Sequence, residues 1–421
     1  IKNLIISENS ASDGGGISIS NQCNVTMSNL IVHNNTATQR GGGIYAWGNV
    51  TLSLRNSEVT SNNAPYAGGA FLGYSIVPVI DNCTVASNSA TSYGGGLVFE
   101  NLLESDNVIL TETNVAGNSA PVGSQLYVAS YPNTWEEGNS ARTTISFCNI
   151  QQDDENDYFE SNEGVVSWLD GNINVNPNFI DVVSGNYGPL ASSRLINAGH
   201  PDSLDSDGTI ADIGALPYLN TYSGPIWYVK TDGSDISGKG SSDEPFRSIQ
   251  SAINFSDNGD SVTVFSGTYQ ERIHIAHKNI DIVGAGMEET IIDGELLGRT
   301  VSLKWSNSLI EGFTITGGYN SSLNGNGMCL WESDATISNC KFINNWDGHL
   351  EINNTDNAKF INCMFLDHYE EAHPIYIDNG KRGGDFINCL IDAGGIGLAF
   401  FSNGYPSLMN CTVFNYIDYA Y

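Results

Sequence analysis

Between residues 346 and 382 the chain gathers side chains that acid–base chemistry uses: Asp347, His349, Glu351, Asp367, His368, Glu370, Glu371, His373, Tyr376, Asp378, Lys381 and Arg382. A carboxylate beside a phenol, with imidazoles near, can hold and pass a proton. Glu351, Tyr376, Asp378, His349 and His373 are the candidates for that work. Loops between repeated strands also carry charge simply because they are solvated, so the cluster has a purely structural reading as well. A second group, Asp202, Asp205, Asp207 and Asp212, puts four carboxylates within eleven residues around Gly208. Hard cations take several oxygens from a flexible loop, and this spacing allows a wrap around a structural calcium ion. It departs from the EF-hand pattern, having no glutamate at the twelfth position, and a solvated acidic turn is the alternative. A third group is aromatic. Tyr45, Phe71 and Tyr127 follow the apolar residue of successive repeats, and outward rings in a column can bind sugar rings or a partner protein's flat face, or be covered by the chain itself.

Composition limits what these groups can meet. The 421 residues include 16 Lys+Arg against 47 Asp+Glu, a formal charge of −31. So little positive charge argues against binding nucleic acid through its phosphates and against a polybasic hold on anionic lipid. With 40% hydrophobic and 15% charged residues, the chain can build a core and is not a charge-rich disordered polymer. No apolar run is long enough for a membrane span, and no signal peptide opens the sequence. Ile1 reads as the middle of a repeat, which suggests a mature or truncated piece of a longer protein.

Repetition dictates the elements that must position these groups. Gly14-Gly15-Gly16-Ile17 recurs at Gly41-Gly42-Gly43-Ile44, Gly68-Gly69-Ala70-Phe71 and Gly94-Gly95-Gly96-Leu97, with a degenerate copy at Gly123-Ser124-Gln125-Leu126. In phase with it run Asn9-Ser10-Ala11, Asn35-Thr36-Ala37, Asn62-Asn63-Ala64, Asn88-Ser89-Ala90 and Asn118-Ser119-Ala120. Between these markers short runs alternate apolar and polar, as in Val50-Thr51-Leu52-Ser53-Leu54, which is strand periodicity. Short strands at a period of 26 or 27 residues describe one coil of a parallel β-helix. Glycine suits sharp turns with positive φ. An asparagine at one place in every coil can hydrogen-bond to its copies above and below.

The beat breaks near Gln151. Residues 151–222 carry acidic turns and prolines, and read as a closing cap and linker. A new pattern opens at Ile226-Trp227-Tyr228-Val229. Phe246, Ile249, Ala252 and Ile253 fall at helical spacing after Pro245, which is suited to a helix start, so residues 223–421 read as a second solenoid opened by a short capping helix. Asn339-Cys340, Asn362-Cys363, Asn388-Cys389 and Asn410-Cys411 then recur at spacings of 23, 26 and 22 residues. Like-placed cysteines suggest a stacked column of free thiols acting as small apolar filler, with disulfides between adjacent coils as the alternative. Aligned on these markers, Leu350-Glu351-Ile352 lies beside Ile375-Tyr376-Ile377. If the isoleucines point inward, Glu351 and Tyr376 are outward neighbours, with Asp378 two residues further on. The expected architecture is all-β: two tandem right-handed parallel β-helices over residues 1–150 and 223–421, the second continuing beyond Tyr421.

The Gly-Gly-Gly-Ile and Asn-Ser-Ala coils resemble those of right-handed parallel β-helix surface and secreted proteins, including the polymorphic outer-membrane-protein type repeats. Gly171 to Phe179, Leu195 to Gly199 and Asp212 to Ala215 resemble the closing segment of such proteins. Trp227-Tyr228-Val229 through Gly267-Thr268-Tyr269, and Gly312-Phe313-Thr314-Ile315-Thr316-Gly317-Gly318, resemble the opening cap and recurrent coil of the pectate-lyase-like superfamily. The resemblance implies an exported bacterial protein, extracellular or on the outer cell surface, whose partner is a cell-surface protein or an extracellular polysaccharide. That fold carries lyases, hydrolases, adhesins and inert spacers alike. Lyases of the superfamily typically pair a Lys or Arg base with calcium on carboxylates, and hydrolases use clustered aspartates. No lyase motif is recognisable in residues 346–382. The sequence thus favours a structural, stalk-like or adhesive role, with a polysaccharide lyase or a non-catalytic glycan-binding module as competing readings.

Overall fold

Short alternating runs stack in register on the strands one coil earlier and one coil later. The computed structural model is an all-β, right-handed parallel solenoid of about 14 turns with a single short helix among the described residues. It describes residues 1–74, 76–100, 107–129, 142–160, 165–320, 325–366, 374–378, 381–392, 400–402 and 405–414. The Cα positions divide into two compact units, Ile1–Leu219 and Asn220–Tyr421.

In the first unit, strands Ile17–Ser20, Ile44–Trp47, Ala70–Gly73, Leu97–Glu100 and Leu126–Ala129 pair in parallel, one per coil. Inward Ile44, Leu72, Leu97 and Leu126 join Leu54, Val59, Ile80 and Val85 from the neighbouring sheet in one core. The stacking runs on past residue 150, because Tyr158–Glu160 pairs with Leu126–Ala129 and Val165–Trp168 with Arg142–Ser146. Alternation persists there although the glycine and asparagine markers are gone.

The expected asparagine ladder is present. The side-chain amides of Asn9, Asn35, Asn62 and Asn88 each donate to the carbonyl of the next in the column at 3.0 Å. Those of Asn35, Asn62 and Asn88 also donate to the backbone carbonyls of Ile6, Val32 and Val59. Gln125 ends the ladder, accepting from Asn118 at 2.8 Å. Positive φ explains only part of the glycine block. Gly41 has φ 63°, but Gly43 does not lie in that region; a Cβ on Gly43 would sit 2.7 Å from Gly69 O and 2.9 Å from Asn62 Nδ2. Glycine is needed there because the ladder and the next coil leave no room.

Residues beyond Gly171 lie along earlier coils rather than only closing the last one. Tyr187 Oη meets Ser61 Oγ at 2.9 Å, Ala215 N donates to Thr84 Oγ1 at 3.0 Å, and His200 N donates to Glu112 Oε1 at 2.9 Å. Thr84 and Asn114, polar residues beside the inward Val85 and Val115, are thereby buried.

The second unit has three parallel sheets, containing Ser261–Val264, Gly267–Gln270 and Ile273–Ala276 respectively in one coil. Its helix is Ile249–Phe255, later than the proline suggested: Ser248 caps it by accepting from Ser251 N, while Phe246 bridges to Val229. Every helical residue is buried, and Phe255 stacks with Trp227 and Phe246, closing the open end of the core. Glu271 accepts from Ile249 N and Gln250 N at 2.7 and 2.9 Å, and Lys278 Nζ donates to Ile253 O and Asn254 O. Both charges complement the helix dipole. All eight cysteines are free thiols, and Phe342–Phe365 and Phe360–Phe386 stack coil on coil with centroids 4.8 and 4.6 Å apart.

Candidate functional site

Strands Val301–Lys304, Met328–Trp331, Leu350–Asn353 and Ile375–Asp378 form one face of the second unit. Val301, Leu303, Met328, Leu330, Leu350, Ile352, Ile375 and Ile377 are fully buried. Period-two alternation therefore turns Ser302, Cys329, Glu351 and Tyr376 to the other side, and these four are register partners in sequence. The neighbouring column holds Lys304, Trp331 and Asn353, and the backbone of Asp378 continues its register.

Glu351 and Tyr376 thus sit side by side, as their spacing predicts. Glu351 forms an ion pair with Arg299, and both side chains are largely covered. The Cys329 thiol lies against the pair: burial pushes it up to about 12, with Arg299 drawing it down and Glu351 pushing it further up. Sequence reasoning missed Arg299 and Cys329. The signal for Cys329 was its place inside Met328-Cys329-Leu330, where alternation turns it away from the core. Arg299 lies before its strand and carries no such mark.

His349 does not join this outward group. It lies one residue before strand Leu350–Asn353, is fully buried, and its Nδ1 meets Asn345 Nδ2 at 3.2 Å, with the Phe342 and Phe365 rings beside it. Acid–base work by His349 on the outer face is therefore ruled out by its direction. His373, with Asp367, His368, Glu370 and Glu371, lies outside the described residues, as does the side chain of Asp378. Lys381 bonds Asp356 at 3.3 Å, and Arg382 pairs with Asp385. Exposed aromatics flank the face. Trp305 stacks on His277 at 4.4 Å with Lys304 Nζ 4.2 Å from its ring, Trp331 is half exposed, and Tyr319 meets Trp346 edge-on.

In the acidic loop the aspartates staple turns. Asp212 accepts from Asn197 N and Tyr218 N at 2.7 Å each, Asp205 accepts from Asp212 N at 3.0 Å, and Asp207 accepts from Thr209 N and Oγ1. Asp202 is exposed near His200. Burial pushes Asp212 up to about 8 and Asp205 up to about 6. Among the described residues no three His, Cys, Asp or Glu side chains are grouped to hold a metal ion.

The aromatic column of the first unit keeps its expected register, Ser18–Tyr45–Phe71–Val98–Tyr127. It is largely covered: Phe71 and Tyr127 are buried and Tyr45 is half-buried. Trp47 stacks on Phe71 and Tyr45, Tyr93 on Tyr127 at 4.3 Å, and the Arg40 guanidinium lies 5.6 Å from the Phe71 ring. Tyr66 and Tyr74 nearby are more exposed than the rings of the column.

Residues 297–420 match the family model for the right-handed β-helix region. No curated protein matches the chain. Among solved structures, the β-helix is similar to the PL6-family alginate lyase AlyGC at 11% identity and a TM-score of 0.31, over 97% of this chain. The chain spans 66% of that protein's length. No helix among the described residues is long and apolar enough to cross a membrane.

Proposed function

We propose that this chain is an acidic segment of an exported bacterial β-helix protein, acting at the cell surface or outside the cell in a structural, stalk-like or adhesive role. The supporting observation is the coil-to-coil ladder from Asn9 to Gln125, in which buried amides satisfy one another and the turn backbone, so that length grows by repetition without a new core. The partner is a cell-surface protein or an extracellular polysaccharide meeting the outer faces.

One arrangement favours a second reading, a polysaccharide lyase or other carbohydrate-active enzyme: Glu351 and Tyr376 are register partners on an outward face beside Arg299. Half-exposed Trp331 and Trp305 on the same side favour a non-catalytic glycan-binding module. Incubation of the purified chain with acidic and neutral polysaccharides, with and without calcium, separates the three. The scaffold reading expects no chain cleavage. Cleavage lost in both Glu351→Gln and Tyr376→Phe, with the fold intact, overturns it in favour of the enzyme. Retention on insoluble polymer without cleavage, lost in Trp331→Ala, assigns the glycan-binding module.

A further inference from the structure

Four consecutive coils of the second unit place a thiol at the same turn. Cys340, Cys363, Cys389 and Cys411 each follow a left-handed asparagine, Asn339, Asn362, Asn388 and Asn410, with φ between 50° and 55°. The strands leading into these turns pair in parallel, coil on coil. Each sulfur also makes the same contacts. The thiols lie 3.2, 3.5, 3.5 and 3.5 Å from the carbonyl two residues earlier, and 3.7, 3.4, 3.3 and 3.3 Å from a carbonyl of the preceding coil. The same two contacts repeated in four coils put the sulfurs in a row along the stack, at the coil spacing of about 4.8 Å. The corresponding turn of the first unit carries Ser57, Cys83, Thr113 and Cys148, each bonded to the carbonyl two residues earlier. There a hydroxyl separates the thiols, and no two are neighbours.

We propose that the row Cys340–Cys363–Cys389–Cys411 is a binding site for a soft monovalent cation of the copper(I) or silver(I) class, held in a line between sulfurs of successive coils, with Cys363 and Cys389 as the principal pair. Thiolates select such cations over hard ones. Two metal–sulfur bonds of roughly 2.3 Å each span nearly one coil spacing. A disulfide would need two neighbouring thiols to rotate until the sulfurs are about 2.05 Å apart, whereas all four are free thiols here. Loading displaces one proton from each of two thiols to solvent and leaves a singly negative bis-thiolate complex, with no change of oxidation state. Binding therefore tightens as pH rises.

The test is anaerobic titration of the full, reduced chain with copper(I) delivered from a chromophoric chelator, with the stoichiometry read by native mass spectrometry. The expected result is copper retained against millimolar glutathione, an affinity at least tenfold weaker in Cys389→Ser, and no change in Cys83→Ser. Serine already occupies this turn at Ser57, so Cys389→Ser is compatible with the coil, and Cys363→Ser serves as a second variant. X-ray absorption on the loaded wild-type chain should show two sulfur ligands per copper. Complete loss of copper to glutathione, unchanged affinity in both serine variants, or a first shell lacking two sulfurs overturns the proposal.

Discussion

Asn62 shows how much one side chain does in this fold. Its amide donates to Asn88 Oδ1 and Val32 O, and its carbonyl accepts from the backbone and side-chain nitrogens of Asn35, all in a buried position. Asn62→Ala leaves those groups unmatched, at about 1–3 kcal/mol for each polar group left unsatisfied. The exposed Asn357 supplies the comparison, since Asn357→Ala should stay within about 0.5 kcal/mol. Urea midpoints of the two variants check this, and equal shifts would remove the ladder from the stability argument. Asp212 gives a pH test. Burial holds its folded value near 8, above the ordinary carboxylate value of 3.8, despite two backbone N–H donors that pull it down. The folded state therefore keeps a proton that the unfolded chain releases between about pH 4 and 8. Stability from this group is complete below that window and falls as pH rises through it. Melting temperatures from pH 5 to 8 should fall more steeply in the wild-type chain than in Asp212→Asn; parallel curves would contradict the assignment.

At the level of the element, the coils were legible because their signals are local. The glycine and asparagine markers, the period-two runs and the Asn-Cys turns each fix one position per coil, and the register of Glu351 with Tyr376 follows from them. Three features were not legible. The helix starts at Ile249 because Ser248 supplies the cap and Phe246 is held in the sheet; periodicity places apolar residues but does not reveal which of them pairs elsewhere. His349 turns inward because it precedes its strand, where alternation does not apply. The covering of Thr84 and Glu112 by residues beyond His200 depends on contacts roughly a hundred residues apart in sequence. The phenylalanine stacks test the element as a unit. Phe365 lies fully buried, 4.8 Å from Phe342 and near parallel to it. Phe365→Ala should cost about 3–5 kcal/mol, and Phe365→Leu clearly less, because the leucine fills most of the cavity. Denaturant unfolding followed by far-ultraviolet circular dichroism checks the order, and equal losses would mean that the site collapses around either residue.

For the molecule as a whole, charge is the term that no single coil reveals. Forty-seven acidic residues face sixteen basic ones, and the ion pairs among the described residues include exposed contacts such as Lys239–Glu244 and Lys381–Asp356. Exposed pairs of this kind contribute about 0–1 kcal/mol each, too little to offset the repulsion of a formal charge of −31. That repulsion disfavours the compact state and discourages self-association. At 0.01 M salt the Debye length is about 30 Å, and at 0.1 M about 10 Å, so added salt removes the long-range part of the repulsion and spares short buried contacts. The melting temperature should therefore rise between 10 and 300 mM sodium chloride, by roughly 1 °C for each kcal/mol of repulsion screened in a chain of 421 residues. Most of the gain should come below 100 mM, where the Debye length changes fastest. Scanning calorimetry over that series decides the matter. A flat or falling response would mean that the acidic residues are already offset within the fold, and that the charge serves solubility without weakening the coils.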